Sequence, residues 1–342
     1  IKGSLYMGTI FSATLFAAAT GIVGAAVTII GLMAAPVMKK SNYDAGLSAG
    51  AITAGGTLGI LIPPSIMLVV MGPVMQVSVA RLFAAAILPG FMLASLYTIY
   101  TMIRVMINPK VGPPLPDEEL DVPISYKVRE FFLGLLPPAV LILATLGTII
   151  TGLATPTEGA ALGCLGAVIV TLLNRKLTFN LLKESVFRTA ETTSMVMILL
   201  AASTFMGVVF SSMGTPTFIA NTLLGFNLPP WVFLVGILIV CFILGWPLEW
   251  IPIVVVIVPI FLPILMEMDI NMIWFCMLLA VVLQTCWLSP PVAFSAYYIK
   301  GVMPEWELLD IYKGMMPFMA LQCLGVALVY FFPQLSLWLP SV

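Results

Sequence analysis

The chain has 342 residues, 61% of them hydrophobic and only 8% charged, with a net charge of −1 and a mean hydropathy of +1.14. That balance excludes an ordinary soluble domain, and the lack of a basic excess argues against nucleic acid as a partner. Histidine is absent, which excludes imidazole bases, histidine–metal sites and Ser-His-Asp triads.

An apolar run of about 20 residues crosses a hydrocarbon core of about 30 Å. Apolar segments occupy 5–38, 45–80, 82–107, 131–153, 159–173, 189–210, 231–266, 271–299 and 315–339. They are apolar on every face, unlike the alternating strands of a membrane barrel, so the chain reads as an all-α polytopic membrane protein. Segments 5–38, 45–80 and 231–266 are too long for one straight crossing and carry Gly or Pro interruptions. Re-entrant hairpins or helices broken in mid-membrane are expected there. Polar linkers at 108–130 and 174–188 hold Lys110, Lys127, Arg129, Arg175, Lys176, Lys183 and Arg188. With one crossing each for 131–153 and 159–173, both linkers share a side, which the excess of Lys and Arg assigns to the cytoplasm. Cys164, Cys241, Cys276, Cys286 and Cys323 are scattered without a C-x-x-C pair and read as packing residues. The chain opens on Ile1 with no signal-peptide pattern, and further spans are expected upstream.

The prolines repeat. Pro36 and Pro263, Pro63 and Pro290, and Pro64 and Pro291 each lie 227 residues apart, and Pro89 and Pro317 follow the two pairs at similar distances. The expected division is a first repeat at 1–107, a polar linker at 108–130, intervening spans with the start of the second repeat at 131–230, and the second-repeat core at 231–342. Spacing leaves open whether the halves are parallel or inverted.

The stretch "AGGTLGILIPPS", Ala54–Ser65, joins a glycine cluster to a proline pair. Proline lacks a donor and clashes with the preceding turn, and the residue before it avoids helical angles, so a helix ends here. Freed carbonyls in a membrane are tolerated where they line a wet cavity, and there they replace the hydration shell of a small cation. Gly55, Gly56 and Gly59 permit unusual dihedrals and close backbone approach; Thr57 and Ser65 add hydroxyl oxygens. The second copy, "LQTCWLSPPVAF", brings Thr285 and Ser289 before Pro290-Pro291. Two related Na⁺ sites are one reading, and proline kinks used only for packing are the other.

These motifs, with "ATPTEGAALG" at 154–163, "PIFLP" at 259–263, Ser-Pro-Pro at 289–291 and "FFPQLSLWLP" at 331–340, resemble the large permease subunit of the tripartite ATP-independent periplasmic (TRAP) transporters over essentially the whole chain. The resemblance implies Na⁺-driven uptake of a small organic acid across the bacterial inner membrane. The substrate would arrive from a periplasmic solute-binding protein, and a small four-helix membrane subunit would assist. It also implies inverted repeats, each with a hairpin and a broken helix, forming an elevator domain against a scaffold. Implied Na⁺ ligands are Thr20, Gly21, Gly55, Gly56, Thr57, Gly59 and Pro63 in the first repeat, and Gly245, Glu249, Thr285 and Ser289 in the second. Gly24, Ser65, Arg81 and Pro290 are the implied substrate contacts.

Two stretches depart from the family pattern. "GWPLEW" at 245–250 stands where many relatives have GMFLDP, which puts Glu249 at the family's aspartate. "ATGIVG" at 19–24 replaces the usual SGSS of the first hairpin. The variant most resembles the branch labelled mannitol/chloroaromatic. Glu249 is the one charge between Trp231 and Met266, either functional or interfacial. Glu158 reads as a helix cap, and Arg81 either contacts an anionic substrate or snorkels to the interface. No intramembrane nucleophile–base pair or aspartate pair exists, so an enzyme is not expected. A binding-protein-independent transporter or a channel is the alternative.

Overall fold

The computed structural model describes residues 2–115, 123–214, 218 and 229–341. Among them every regular element is helical and no strand occurs. Seven of these helices are long and apolar enough to cross a membrane: Val23–Lys40, Val79–Ile107, Val128–Ile150, Pro156–Leu173, Phe179–Phe210, Trp250–Glu267 and Leu308–Phe331. Parts of the expected linker at 108–130 and of the segment at 131–230 lie outside the described residues.

The 5–38 segment is a hairpin. Helix α1 (Ser4–Thr20) and α2 (Val23–Lys40) meet at Gly21, whose φ of +63° a residue with a Cβ adopts only under strain. Helix α3 (Ala45–Thr57) starts where the Asp44 carboxylate accepts from Leu47 N at 2.7 Å. It tightens into a 3₁₀ turn, Leu58–Ile60, and stops before the cis Pro63–Pro64 bond. Helix α4 (Ile66–Val74) restarts the chain under a Ser65 cap, and α5 (Val79–Ile107) follows.

Next come α6 (Ile124–Ile150), α7 (Pro156–Leu173) and α8 (Phe179–Ser212). Gly159, Gly163 and Gly166 of α7 face Ile149, Thr145 and Leu141 of α6, so these helices are antiparallel and the two polar linkers lie on one side. Helices α9 (Pro230–Leu244) and α10 (Trp250–Glu267), the latter with a π turn at Ile253–Ile257, form a second hairpin. Then α11 (Met272–Gln284), capped by Asn271, passes through a 3₁₀ turn, Thr285–Trp287, and the cis Pro290–Pro291 bond into α12 (Phe294–Val302). Helices α13 (Leu308–Phe331) and α14 (Gln334–Leu337) complete the bundle.

The 227-residue offset extends from the prolines to whole elements. Helices α2 and α10, α3 and α11, and the two 3₁₀ turns begin and end on residues 227 apart. So do the capping residues Asp44 and Asn271 and the left-handed Asn42 and Asp269. Contacts fix the relative direction. Along α3, Gly46, Gly50 and Thr57 meet Asp310, Gly314 and Gln322 in turn, so α3 and α13 run the same way. Tyr97 packs on Phe318 and Leu93 on Gly325, so α5 runs against α13. Trp274 bonds Val329 and Gln284 bonds Gln322, so α11 also runs against α13. Equivalent helices of the two halves therefore point in opposite directions.

The core lies where the broken helices pass. Every residue from Leu47 to Thr57 and from Phe275 to Gln284 is buried. The unusual dihedrals expected at Gly55, Gly56 and Gly59 are not found, since the positive-φ glycines among the described residues are Gly3, Gly21, Gly152 and Gly214. Their other expected role holds for two of them. A Cβ on Gly55 would lie 2.7 Å from the Ala13 methyl, and one on Gly56 would lie 3.1 Å from Val27 N. The glycine pair lets the first hairpin approach the backbone of α3.

Candidate functional site: two broken helices and their hairpin tips

Each break is covered by the tip of its own hairpin. In the first repeat a Cβ on Gly21 would fall 2.9 Å from the Pro64 carbonyl oxygen, so the tip rests directly on the break. Thr20 Oγ1 donates to Phe16 O at 3.0 Å, Thr57 Oγ1 to Ala54 O at 2.7 Å and Ser65 Oγ to Ile60 O at 2.5 Å. Each hydroxyl thus spends its hydrogen on a carbonyl and keeps oxygen lone pairs, the ligand type a hard cation takes. Ser65 also accepts from Leu68 N at 3.4 Å, and Gly59 is buried in the 3₁₀ turn.

The second break repeats the plan. Gly245, the residue after α9, packs against Cys286 of the 3₁₀ turn, where a Cβ would meet its sulfur. Thr285 Oγ1 donates to Val282 O at 2.6 Å, and Ser289 Oγ to Thr285 O at 2.6 Å. Glu249 occupies the residue before α10, half-buried, with no hydrogen bond or ion pair among the described residues. In the tips and breaks, 20–24, 58–65, 245–249 and 285–293, it is the one charged side chain.

The repeats also cross over. A Cβ on Gly24 would meet the Tyr298 ring of α12, so α2 lies against the second half of the other repeat's broken helix, and α10 meets α4 in the same manner. Pro290 sits in the break, half-buried. Arg81 is exposed on the first turn of α5, and no hydrogen bond or ion pair among the described residues ties it to either break. Glu158 closes a capping box with Thr155, accepting from its backbone N at 2.8 Å. Sequence reasoning passed over Gln284 and Gln322, both fully buried beside Thr57. Their signal was an uncharged amide alone in an apolar helix.

The sequence matches, over residues 1–335, the family described as "Tripartite ATP-independent periplasmic transporter, DctM component". It is 30% identical to the C4-dicarboxylate TRAP transporter large permease protein DctM of Pseudomonas aeruginosa, over 100% of this chain and 78% of that protein. It is 28% identical to the isethionate TRAP transporter permease protein DctMQ of Oleidesulfovibrio alaskensis, over 99% of this chain and 52% of that protein. The 2,3-diketo-L-gulonate TRAP transporter large permease protein YiaN of Escherichia coli is 25% identical over 96% of this chain and 76% of its own length. With its seven apolar helices, the chain belongs to the DctM family of TRAP transporter large permeases, inner-membrane transport proteins rather than enzymes.

Proposed function

We propose that the protein carries out Na⁺-coupled uptake of a small organic acid delivered by a periplasmic solute-binding protein, assisted by a small four-helix membrane subunit. The observation that carries this reading is the duplicated break: two buried, neutral, oxygen-bearing bends related by one offset and an inversion, each under its own hairpin tip. One Na⁺ would be held around Thr20, Gly21, Gly55, Gly56, Thr57, Gly59 and Pro63, the other around Gly245, Glu249, Thr285 and Ser289. Gly24, Ser65 and Pro290 would face the substrate between them, and Arg81 would meet it at the entrance. Residues 1–107 and 231–342 form the two repeats in this reading, joined through 108–130 and 131–230, and their hairpins and broken helices move as an elevator.

The relatives' names support the substrate class, since C4-dicarboxylate, isethionate and 2,3-diketo-L-gulonate are all organic acids. The length of the DctMQ relative, about half of which this chain matches, supports a second membrane component. The stretches "ATGIVG" and "GWPLEW" place the chain in the mannitol/chloroaromatic-labelled branch.

Uptake into proteoliposomes with and without the binding protein and an inward Na⁺ gradient tests the proposal. Uptake that needs both is expected. Transport without the binding protein would favour an autonomous transporter or channel, and uptake indifferent to Na⁺ would remove the coupling.

A further inference from the structure

Four fully buried polar side chains, Thr57, Tyr97, Gln284 and Gln322, meet where the two repeats cross. Thr57 and Gln284 are equivalent residues, the last of α3 and of α11. Gln322 reaches both from α13: its Nε2 donates to Thr57 Oγ1 at 3.2 Å and to Gln284 Oε1 at 3.5 Å. The Tyr97 hydroxyl, from α5, faces Gln322 and Thr57. Three atoms of the cluster are buried without a hydrogen-bond partner: Gln322 Oε1, Gln284 Nε2 and the Tyr97 hydroxyl. Buried polar atoms are nearly always satisfied, so a group of three in one place marks a missing guest.

We propose that this cluster is a third Na⁺ position, on the pseudo-two-fold axis and separate from both breaks. The guest is held by Gln322 Oε1, Gln284 Oε1, Thr57 Oγ1 and the Tyr97 oxygen, the two amides turning about their last torsions to present oxygen. The idea rests on the Na⁺-coupled reading given above. Two features select a cation over a water molecule. Helices α3 and α11 both end here, so two C-terminal dipole ends converge and their partial negative charge favours a positive guest. The four side chains are all neutral and carry an oxygen that can act as a ligand, which suits a monovalent hard cation. A position shared by α3, α5, α11 and α13 is filled only when both repeats are in register, so the ion would report the packing of one half to the other.

The test uses the purified protein with Tyr97→Phe, which removes only the hydroxyl oxygen, and Gln322→Glu, which keeps the shape and adds a charge. Thermal unfolding is followed in NaCl and in choline chloride, and the Na⁺ dependence of uptake is titrated in proteoliposomes with the binding protein. In Tyr97→Phe, the Na⁺-induced rise in unfolding temperature should shrink while the choline value stays at wild type, and the Hill coefficient for Na⁺ should fall by about one. Gln322→Glu should lower the half-saturating Na⁺ concentration about tenfold. The proposal is overturned if both variants keep the wild-type Na⁺ response, or if Tyr97→Phe loses the same stability in both salts, as a hydrogen-bond network or a water site would. A wild-type protein with no Na⁺ response overturns the coupling as well. A response that Gly59→Val shifts but the cluster variants do not overturns the third position alone.

Discussion

Glu249 stands 227 residues after Ile22, and both occupy the residue before the second helix of a hairpin. One tip therefore carries an apolar side chain and the other a carboxylate, so an otherwise duplicated pair of sites differs by a full charge. If the second site holds Na⁺, Glu249→Gln should raise the half-saturating Na⁺ concentration for uptake by about tenfold or more, the scale of losing one charged ligand. Glu249→Asp should retain most of the activity. Wild-type Na⁺ dependence in the Gln variant would make Glu249 a structural carboxylate. The first site contains no such charge and depends on backbone shape. Gly59→Val, in the buried 3₁₀ turn, should likewise raise the Na⁺ requirement while the protein stays folded, and unchanged Na⁺ titrations would remove this turn from ion binding.

At the scale of elements, the crossing of α3 and α13 is set by Gly46, Gly50 and Gly314. A Cβ on Gly314 would overlap the Gly46 carbonyl, and one on Gly50 would overlap the Gly314 carbonyl. Gly314→Ala should therefore cost about 1–3 kcal/mol or more through overpacking, read as a lowered unfolding midpoint in detergent. Gly236→Ala on α9, where an added Cβ meets nothing within 4 Å, should instead be neutral or stabilise by up to about 1 kcal/mol through helix propensity. Equal losses in the two variants would mean that backbone flexibility, not close approach, explains these glycines.

The same contrast separates what was legible in the sequence from what was not. Proline acts within one or two turns of itself, so the breaks at Pro63-Pro64 and Pro290-Pro291 and the offset between them could be read directly. The glycines at 55 and 56 could be located but not explained, because their neighbours Ala13 and Val27 come from another hairpin. Gln322 escaped notice for a related reason: an amide in an apolar helix gains meaning only from what it meets, and Gln284 and Thr57 are 38 and 265 residues away. Glu249 stood out because a charge in a long apolar run is conspicuous on its own.

At the scale of the molecule, the inversion interleaves the repeats. Helix α3 lies along α13, α2 against α12 and α11 against α5, so each broken helix is enclosed by elements of both halves. Neither half encloses its own broken helix, which has a consequence for biogenesis. Helix α13 begins 251 residues after α3 ends, so during synthesis the glycine face of α3 and the amide-lined end of its last turn enter the bilayer long before their partner exists. Through that interval the first half is an immature intermediate, open to capture by quality-control proteases or by an insertase that shields it. A fragment ending at Glu267, which lacks α11 to α14, should be degraded several-fold faster than the full chain in a pulse-chase experiment. Equal lifetimes would show that the amino-terminal half reaches a protected state without waiting for the carboxyl-terminal one.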